Sequence, residues 1–405
     1  MASVTLPFLS IARQPRRSLM AILAIAFGIS ALLLASGFIE WNLRYGREST
    51  IHSELGHIRI FKPGYLLSGS ADPFDYLLEA DAKLEQAILS VPHVELITPR
   101  LSFNGLASYG ESTLSFVGEG VDPHKEERLS KSLTITSGQS LSADHPKGII
   151  VGQGLAENLG IKPSDSIVLM VNSATGGVNA AEVTVLGLFA TITKAYDDAA
   201  LRVPISLARQ LMRVTGSHSY TILLDKTENT STILDDLKTS FGKKGFEFVP
   251  WYRMADFYNK TAELFSRQVS VVRLIIAVII VLSISNTLMM SVMERTGEIG
   301  TIMALGVKRR EVLIQFLAEG FILGVAGGSL GLILAYALGA LISAIGVPMP
   351  APPGMSFGYT AEILISWQMA FEAFLLAIIT TLVASVIPAV KASRMEIVNA
   401  LRHNR

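Results

Sequence analysis

Four stretches of this chain, residues 18–39, 274–293, 321–347 and 367–390, are almost purely apolar, with at most one charged side chain in each. A bilayer core of roughly 30 Å is crossed by about 20 helical residues rising 1.5 Å each, so each stretch is long enough to span. The first follows Arg13, Arg16 and Arg17, as a secretory leader would. Its apolar run exceeds the roughly 7–15 residues of a leader, however, and Glu40-Trp41 stands where a small-residue cleavage site belongs, so an uncleaved anchor is expected. Charged residues make up only 17% of the 405 positions, against about 25% in ordinary soluble domains.

Basic residues in short flanking segments are retained on the cytoplasmic side. Arg16 and Arg17 precede the first span, Arg295, Lys308, Arg309 and Arg310 separate the second from the third, and Lys391, Arg394, Arg402 and Arg405 follow the fourth. Residues 346–367 contain neither Lys nor Arg. Both termini are therefore expected in the cytoplasm, and Trp41 and Trp367 fall where an interfacial aromatic belt would lie. The expected order is a cytoplasmic segment 1–17, a span 18–40, an extracytoplasmic domain with stalk 41–266, a span 267–293, a cytoplasmic segment 294–319, a span 320–347, a short outer loop 348–366, a span 367–390 and a cytoplasmic tail 391–405. The fold class is thus α-helical membrane protein with a large α+β domain inserted between the first and second spans.

Within the inserted domain, β-branched runs at 57–61, 113–117, 167–171, 183–186 and 221–224 predict strands. Residues 77–91 and 231–241 carry apolar side chains at helical spacing and predict helices. A Gly/Ser cluster at 173–177 predicts a loop. Before the second span, Phe257, Thr261, Leu264, Gln268 and Val271 recur every three or four residues, and no Gly or Pro occurs from Ala255 to Met293. Stalk and span are expected to form one helix of about 58 Å, able to transmit movement. In the third span, Gly320, Gly324 and Gly328 and, separately, Gly327, Gly331, Ala335 and Gly339 step by four, which lines small residues along helix faces for close packing.

Chemistry is conspicuous by its lack. The chain has no cysteine, which removes disulfides, thiolate metal sites and Cys nucleophiles. Its seven histidines show no metal-ligand spacing, and neither a phosphate-binding Gly-x-x-x-x-Gly-Lys-Ser/Thr loop nor a Gly-x-Ser-x-Gly nucleophile elbow occurs. Equal numbers of basic and acidic residues, 34 of each, argue against a nucleic-acid partner. No catalytic residue and no metal site is expected.

The most distinctive text is the cytoplasmic run Glu294-Arg295-Thr296-Gly297-Glu298-Ile299-Gly300-Thr301-Ile302-Met303-Ala304-Leu305-Gly306. Ile299, Ile302 and Met303 form an apolar stripe on a short helix that Gly306 is placed to end. With few basic residues on it, this helix suits docking into a protein groove better than lying on lipid.

This run resembles the coupling segment of the FtsX/MacB-like permeases of type VII ABC transporters, a family that includes the LolC/LolE lipoprotein-releasing subunits. Glu319 and the glycine-rich third span follow it as they do in that family. The tail from Pro388 to Arg394 with Ala400-Leu401-Arg402 resembles the family's C-terminal signature, although Ile397 stands where proline is frequent. In the inserted domain, residues 118–123 and Val151-Gly152, Leu155-Ala156 and Leu159-Gly160 through Asp165 are similar to the family's periplasmic core domain, with Ser164 in place of a frequent glycine. The resemblance implies a non-catalytic membrane subunit without a cofactor of its own. ATP and Mg²⁺ would be bound by a cytoplasmic ABC ATPase dimer. A second permease copy or paralogue, a lipoprotein or lipid substrate and a periplasmic carrier or adaptor complete the implied partners, in the bacterial inner membrane. Glu294, Arg295, Glu298, Ile299, Ala304, Leu305 and Gly306 would carry ATPase coupling, and Gly320, Gly324, Gly328 and Gly331 span packing. The family also contains MacB-like efflux permeases of tripartite pumps, in which the ATPase is fused to the permease, and FtsX-like regulators of cell-wall hydrolases. Both stand as alternatives.

Overall fold

The computed structural model describes residues 15–69, 71–242, 245–350 and 358–396; the tail signature beyond Glu396 lies outside the described residues. Four helices, Pro15–Thr50, Asp256–Glu294, Arg309–Ile345 and Trp367–Ser393, are long and apolar enough to cross a membrane. The chain separates into a membrane unit holding these spans and an α+β unit formed chiefly by Arg44–Thr261.

In the membrane unit, residues four apart on each helix face inward. Ile25, Ile29 and Leu33 of the first span meet Ile280, Ile284 and Leu288 of the second and Ala373, Ala377 and Ala384 of the fourth in one core. The small residues of the third span divide between two neighbours. A β-carbon at Gly320 would overlap the Ser385 hydroxyl and one at Gly324 the Thr381 hydroxyl, while at Gly328 it would lie 3.0 Å from Phe374 of the fourth span. Gly327 and Gly331 instead face Ile25, Ala26 and Ile29 of the first span. Thr381 and Ser385 donate to the carbonyls of Ala377 and Thr381 in their own helix, so their contribution across the interface is close approach rather than hydrogen bonding. Asn286, on the second span, is exposed on this unit.

The α+β unit is built on one mixed sheet of ten strands. In chain order these are β1 (Ile58–Phe61), β2 (Val94–Tyr109), β3 (Ser112–Val121), β4 (Thr134–Gly138), β5 (Gly148–Gly152), β6 (Ser166–Asn172), β7 (Val178–Ala190), β8 (Ala200–Pro204), β9 (Ser219–Leu224) and β10 (Glu247–Pro250). The sixteen-residue β2 is the spine. Its first half pairs with β9 and extends the small sheet β10-β1-β9-β2, on which the helices Ala82–Leu89 and Thr230–Phe241 pack through Leu84, Ile88, Ile233 and Leu237. Its second half pairs with both β3 and β6, and the ladder β2-β3-β8-β5-β7-β6 returns to β2. That ring is a closed barrel without free edges, filled by Leu101, Phe116, Ile149, Val151, Leu169 and Leu201.

The helix expected over 77–91 begins later, at Ala82, because the Asp81 carboxylate accepts the N–H groups of Lys83 and Leu84 and caps it there. Upstream, Leu78 is bridged to Ser217. Ser164 takes φ +79°, the left-handed region that favours glycine. Its N–H is held by the Val185 carbonyl at 2.8 Å, so the neighbouring ladder imposes the conformation. Ser164→Gly is expected to raise the unfolding free energy of the chain by about 1 kcal/mol, measurable as a higher midpoint in denaturant, because it relieves the β-carbon clash of that region.

Candidate functional site

The run between the second and third spans forms a short helix, Thr296–Ala304. Arg295 interrupts the backbone ahead of it, with φ −100° and ψ 14°. Its guanidinium reaches Glu298 Oε2 at 3.3 Å and the buried Glu319 Oε1 at 3.4 Å. Glu294, the last residue of the second long helix, receives Arg17 at 2.6 Å. Arginines thus tie this corner to the start of the first span and to the third.

The apolar stripe read from the sequence divides in the structure. Ile299 and Met303 are buried against Val292 of the second span, Val312 and Phe316 of the third, and Ala389 and Ala392 of the fourth. Ile302 and Leu305 point away, 39% and 82% exposed, beside the exposed Thr301 and Ala304. Ile299 is therefore an anchor facing the spans and not a surface contact. Gly306 ends the segment at φ +96°, and a β-carbon added there would meet open space; its requirement is backbone conformation alone, and any side chain there is strained.

A second constellation, in the α+β unit, was not anticipated from the sequence. Arg59 of β1, Arg100 of β2, Glu119 of β3, Glu126 of the helix Pro123–Leu129 and Arg202 of β8 form a buried network. Arg100 bridges Glu119 Oε2 at 2.7 Å and Glu126 Oε2 at 2.9 Å, Arg202 holds Glu126 Oε1 at 2.6 Å, and Arg59 reaches Glu119 Oε1 at 3.3 Å. Burial alone would raise the Glu119 pKa, but Arg100, Arg59 and Arg202 outweigh it and hold the carboxyl below its ordinary range. Other donors of the network turn to Ile51–Leu55, the wider helical turn that continues the first long helix to its C-terminal end. Arg202 donates to the Ser53 carbonyl at 2.5 Å, and Arg59 to those of Glu54 at 2.6 Å and Leu55 at 3.2 Å. A helix C-terminus leaves carbonyls unbonded and carries partial negative charge; here two buried guanidiniums satisfy it.

Next to that end, His57 is 1% exposed. Its Nδ1 accepts the Leu224 N–H at 3.1 Å, which leaves Nε2 to donate to Thr227 Oγ1 at 3.0 Å. Burial, with the nearby His52 and Arg47, pushes its pKa down to about 4. The unfolded chain therefore binds a proton at this residue below its ordinary 6.5, while the folded chain does so only near 4. Stability is lost as pH falls through that window, by up to about 3 kcal/mol for this group. Burial lowers His218 in the same sense. Unfolding midpoints measured from pH 7 to pH 4 should fall, and His57→Gln should flatten the slope.

Four helices fit to span a membrane, a short helix keyed to three of them and a large sheet domain inserted after the first define a multi-pass membrane protein. Residues 270–397 match the FtsX-like permease C-terminal family and residues 18–240 the MacB-like periplasmic core domain. The chain belongs to this family of multi-pass ABC-transporter permeases. It is 24% identical over 399 residues to the macrolide export ATP-binding/permease protein MacB of Escherichia coli, covering 95% of this chain and 58% of that protein. An uncharacterized ABC transporter permease of Methanocaldococcus jannaschii is 24% identical over 425 residues, covering 98% of this chain and 97% of that one. The chain thus spans little more than half the length of the MacB relatives it matches. Among solved structures, the periplasmic region of MacB from Actinobacillus actinomycetemcomitans is 13% identical, with a TM-score of 0.36, over 51% of this chain and 94% of that one.

Proposed function

We propose that this chain is a non-catalytic permease subunit of the bacterial cytoplasmic membrane, with both termini inside. It passes the nucleotide cycle of a cytoplasmic ABC ATPase dimer, which binds ATP and Mg²⁺, to the α+β domain on the outer face. One observation carries the reading. The Thr296–Ala304 helix is buried on one side against three spans and offers Ile302 and Leu305 on the other. A partner that grips the exposed pair and moves cannot do so without shifting the spans. Movement then reaches the outer face along the first helix and the Asp256–Glu294 helix, which is 39 residues long. A second copy or paralogue completes the assembly, packing on the second span, whose exposed Leu274, Ile275, Val278 and Ile279 and Asn286 find no cover in this chain's membrane unit.

The cargo we favour is a lipid or lipoprotein drawn from the outer leaflet and passed to a periplasmic carrier. Several contacts must act together, because extraction works against about 0.8 kcal/mol per CH₂ removed from lipid. The second reading, export of a small molecule through a periplasmic adaptor, is favoured by the names of the MacB relatives. Glu298→Lys places a cation beside Arg295, whose other partner is the buried Glu319, and Gly306→Val forces a branched side chain into a positive-φ position. Either is expected to cut cargo-stimulated ATPase activity of the reconstituted complex at least tenfold with insertion in the membrane unchanged. Full stimulation in both variants would refute the coupling role.

A further inference from the structure

The second span is the least covered of the four. Of its apolar stretch, 11% is buried within the chain, against at least 33% in each of the others. Ile280, Ile284 and Leu288 enter the membrane unit's core, while Ile275, Ile279, Leu282, Asn286, Met290 and Met293 are exposed. Those six recur at steps of four and three, which on an α-helix traces one continuous seam of the kind that packs helix against helix. Asn286 follows Ile284 by two residues and so lies about 200° around the helix from it, on the side away from this chain's core.

An amide in this seam needs a partner. At 1.5 Å per residue, Asn286 stands about 10 Å inside the Met293 end of the apolar run, and its side chain makes no hydrogen bond among the described residues. The neighbouring Thr287 turns its hydroxyl back onto the Ser283 carbonyl at 2.9 Å. A hydroxyl is satisfied that way, whereas an amide carries two N–H donors and a carbonyl with two lone pairs, more than its own helix can bond. Lipid tails offer nothing, and an unpaired polar group in hydrocarbon is costly. The amide is, however, self-complementary. Two copies inserted in the same sense are related by a two-fold axis along the membrane normal, which sets each seam residue opposite its own counterpart at equal depth. Each Asn286 amide can then donate an N–H to the carbonyl oxygen of the other.

We propose that the Asn286 amides of two copies of this chain bond across that axis and fix the register in which the second spans pair, as a lone polar residue does in a helical seam. This rests on the second permease copy of the proposed assembly and names it as the same chain, because symmetry supplies the matching amide only for an identical partner. Association is read without ATPase, nucleotide or cargo, so loss of the pairing leaves the coupling role standing, and loss of coupling leaves the pairing. With no native cysteine in the chain, single introduced thiols report neighbours directly. In liposomes oxidised with copper phenanthroline, full-length Leu282→Cys and Met290→Cys are expected to give disulfide-linked dimers, and Val281→Cys, about 140° around the helix from Asn286, none. Sedimentation equilibrium of the full chain in zwitterionic micelles should show Asn286→Leu dimerising about tenfold more weakly with membrane insertion unchanged, and Asn286→Gln, which keeps an amide, recovering part of the loss. Cross-links as strong at 281 as at 282 and 290, dimerisation unmoved by Asn286→Leu, or a parent chain that stays monomeric would overturn the proposal.

Discussion

Arg202→Met lowers the unfolding free energy of the chain by about 3–5 kcal/mol, the range expected when one partner of a buried ion pair is removed and the other stays charged. Methionine fills much of the space of the stem but offers no donor. Glu126 then loses its 2.6 Å contact, Ser130 Oγ its 2.9 Å donor and the Ser53 carbonyl its 2.5 Å donor at once. Arg100 still reaches Glu126, so the carboxylate is not wholly abandoned, which keeps the loss nearer the lower end. Arg202→Lys should recover only part of it, since one ammonium cannot reproduce a planar fork bonded to three oxygens on two sides. Chemical unfolding of the purified full chain, followed by tryptophan fluorescence, gives the number: Trp251 packs with Ile51 and Leu55 at the same helix end. A loss under about 1 kcal/mol would mean that water or rearranged neighbours replace the arginine, and that the helix end is not held by it.

The spans were legible because a bilayer demands about 20 apolar residues in a row, a condition local in sequence. The expected strands were legible for a similar reason, as β-branched runs. The buried network was not, because its five charges come from residues 59 to 202 and no spacing rule joins them. A signal did exist. Ile58-Arg59-Ile60 and Leu201-Arg202-Val203 each set one arginine between apolar residues in a strand, and a side chain there points either to water or to a buried partner. Choosing between these required barrel closure, and the β2–β6 register that closes it is a property of non-local pairing. The Thr296–Ala304 helix was half legible. Helical spacing showed that Ile299 and Met303 share a face, but with Ile302 and Leu305 also apolar, periodicity could not say which face the spans would cover. The small-residue series likewise announced close packing in the third span without revealing that one series meets the fourth span and the other the first.

The exposed face is where the second large effect is expected. Replacing both Ile302 and Leu305 with Asp should weaken binding of the cognate ATPase roughly 1,000-fold, so that it no longer copurifies with the chain. Burying a Leu or Ile side chain in a partner's groove contributes about 1.5–3 kcal/mol, and two such losses near 2 kcal/mol each convert to about that ratio. The new carboxylates add desolvation and replace the only large apolar side chains that this helix exposes among the described residues. Because both side chains project away from the membrane unit, its folding and insertion should not change. Ile299→Ala is the opposite case. It removes an anchor from the core under the helix, so it should lower thermal stability and blunt transmission while the ATPase stays bound. Partner loss in the aspartate variant with partner retention in the alanine variant separates the gripping face from the anchoring face. Retention of the ATPase by the aspartate variant at wild-type affinity would place the docking surface elsewhere and leave the exposed pair without a mechanical role.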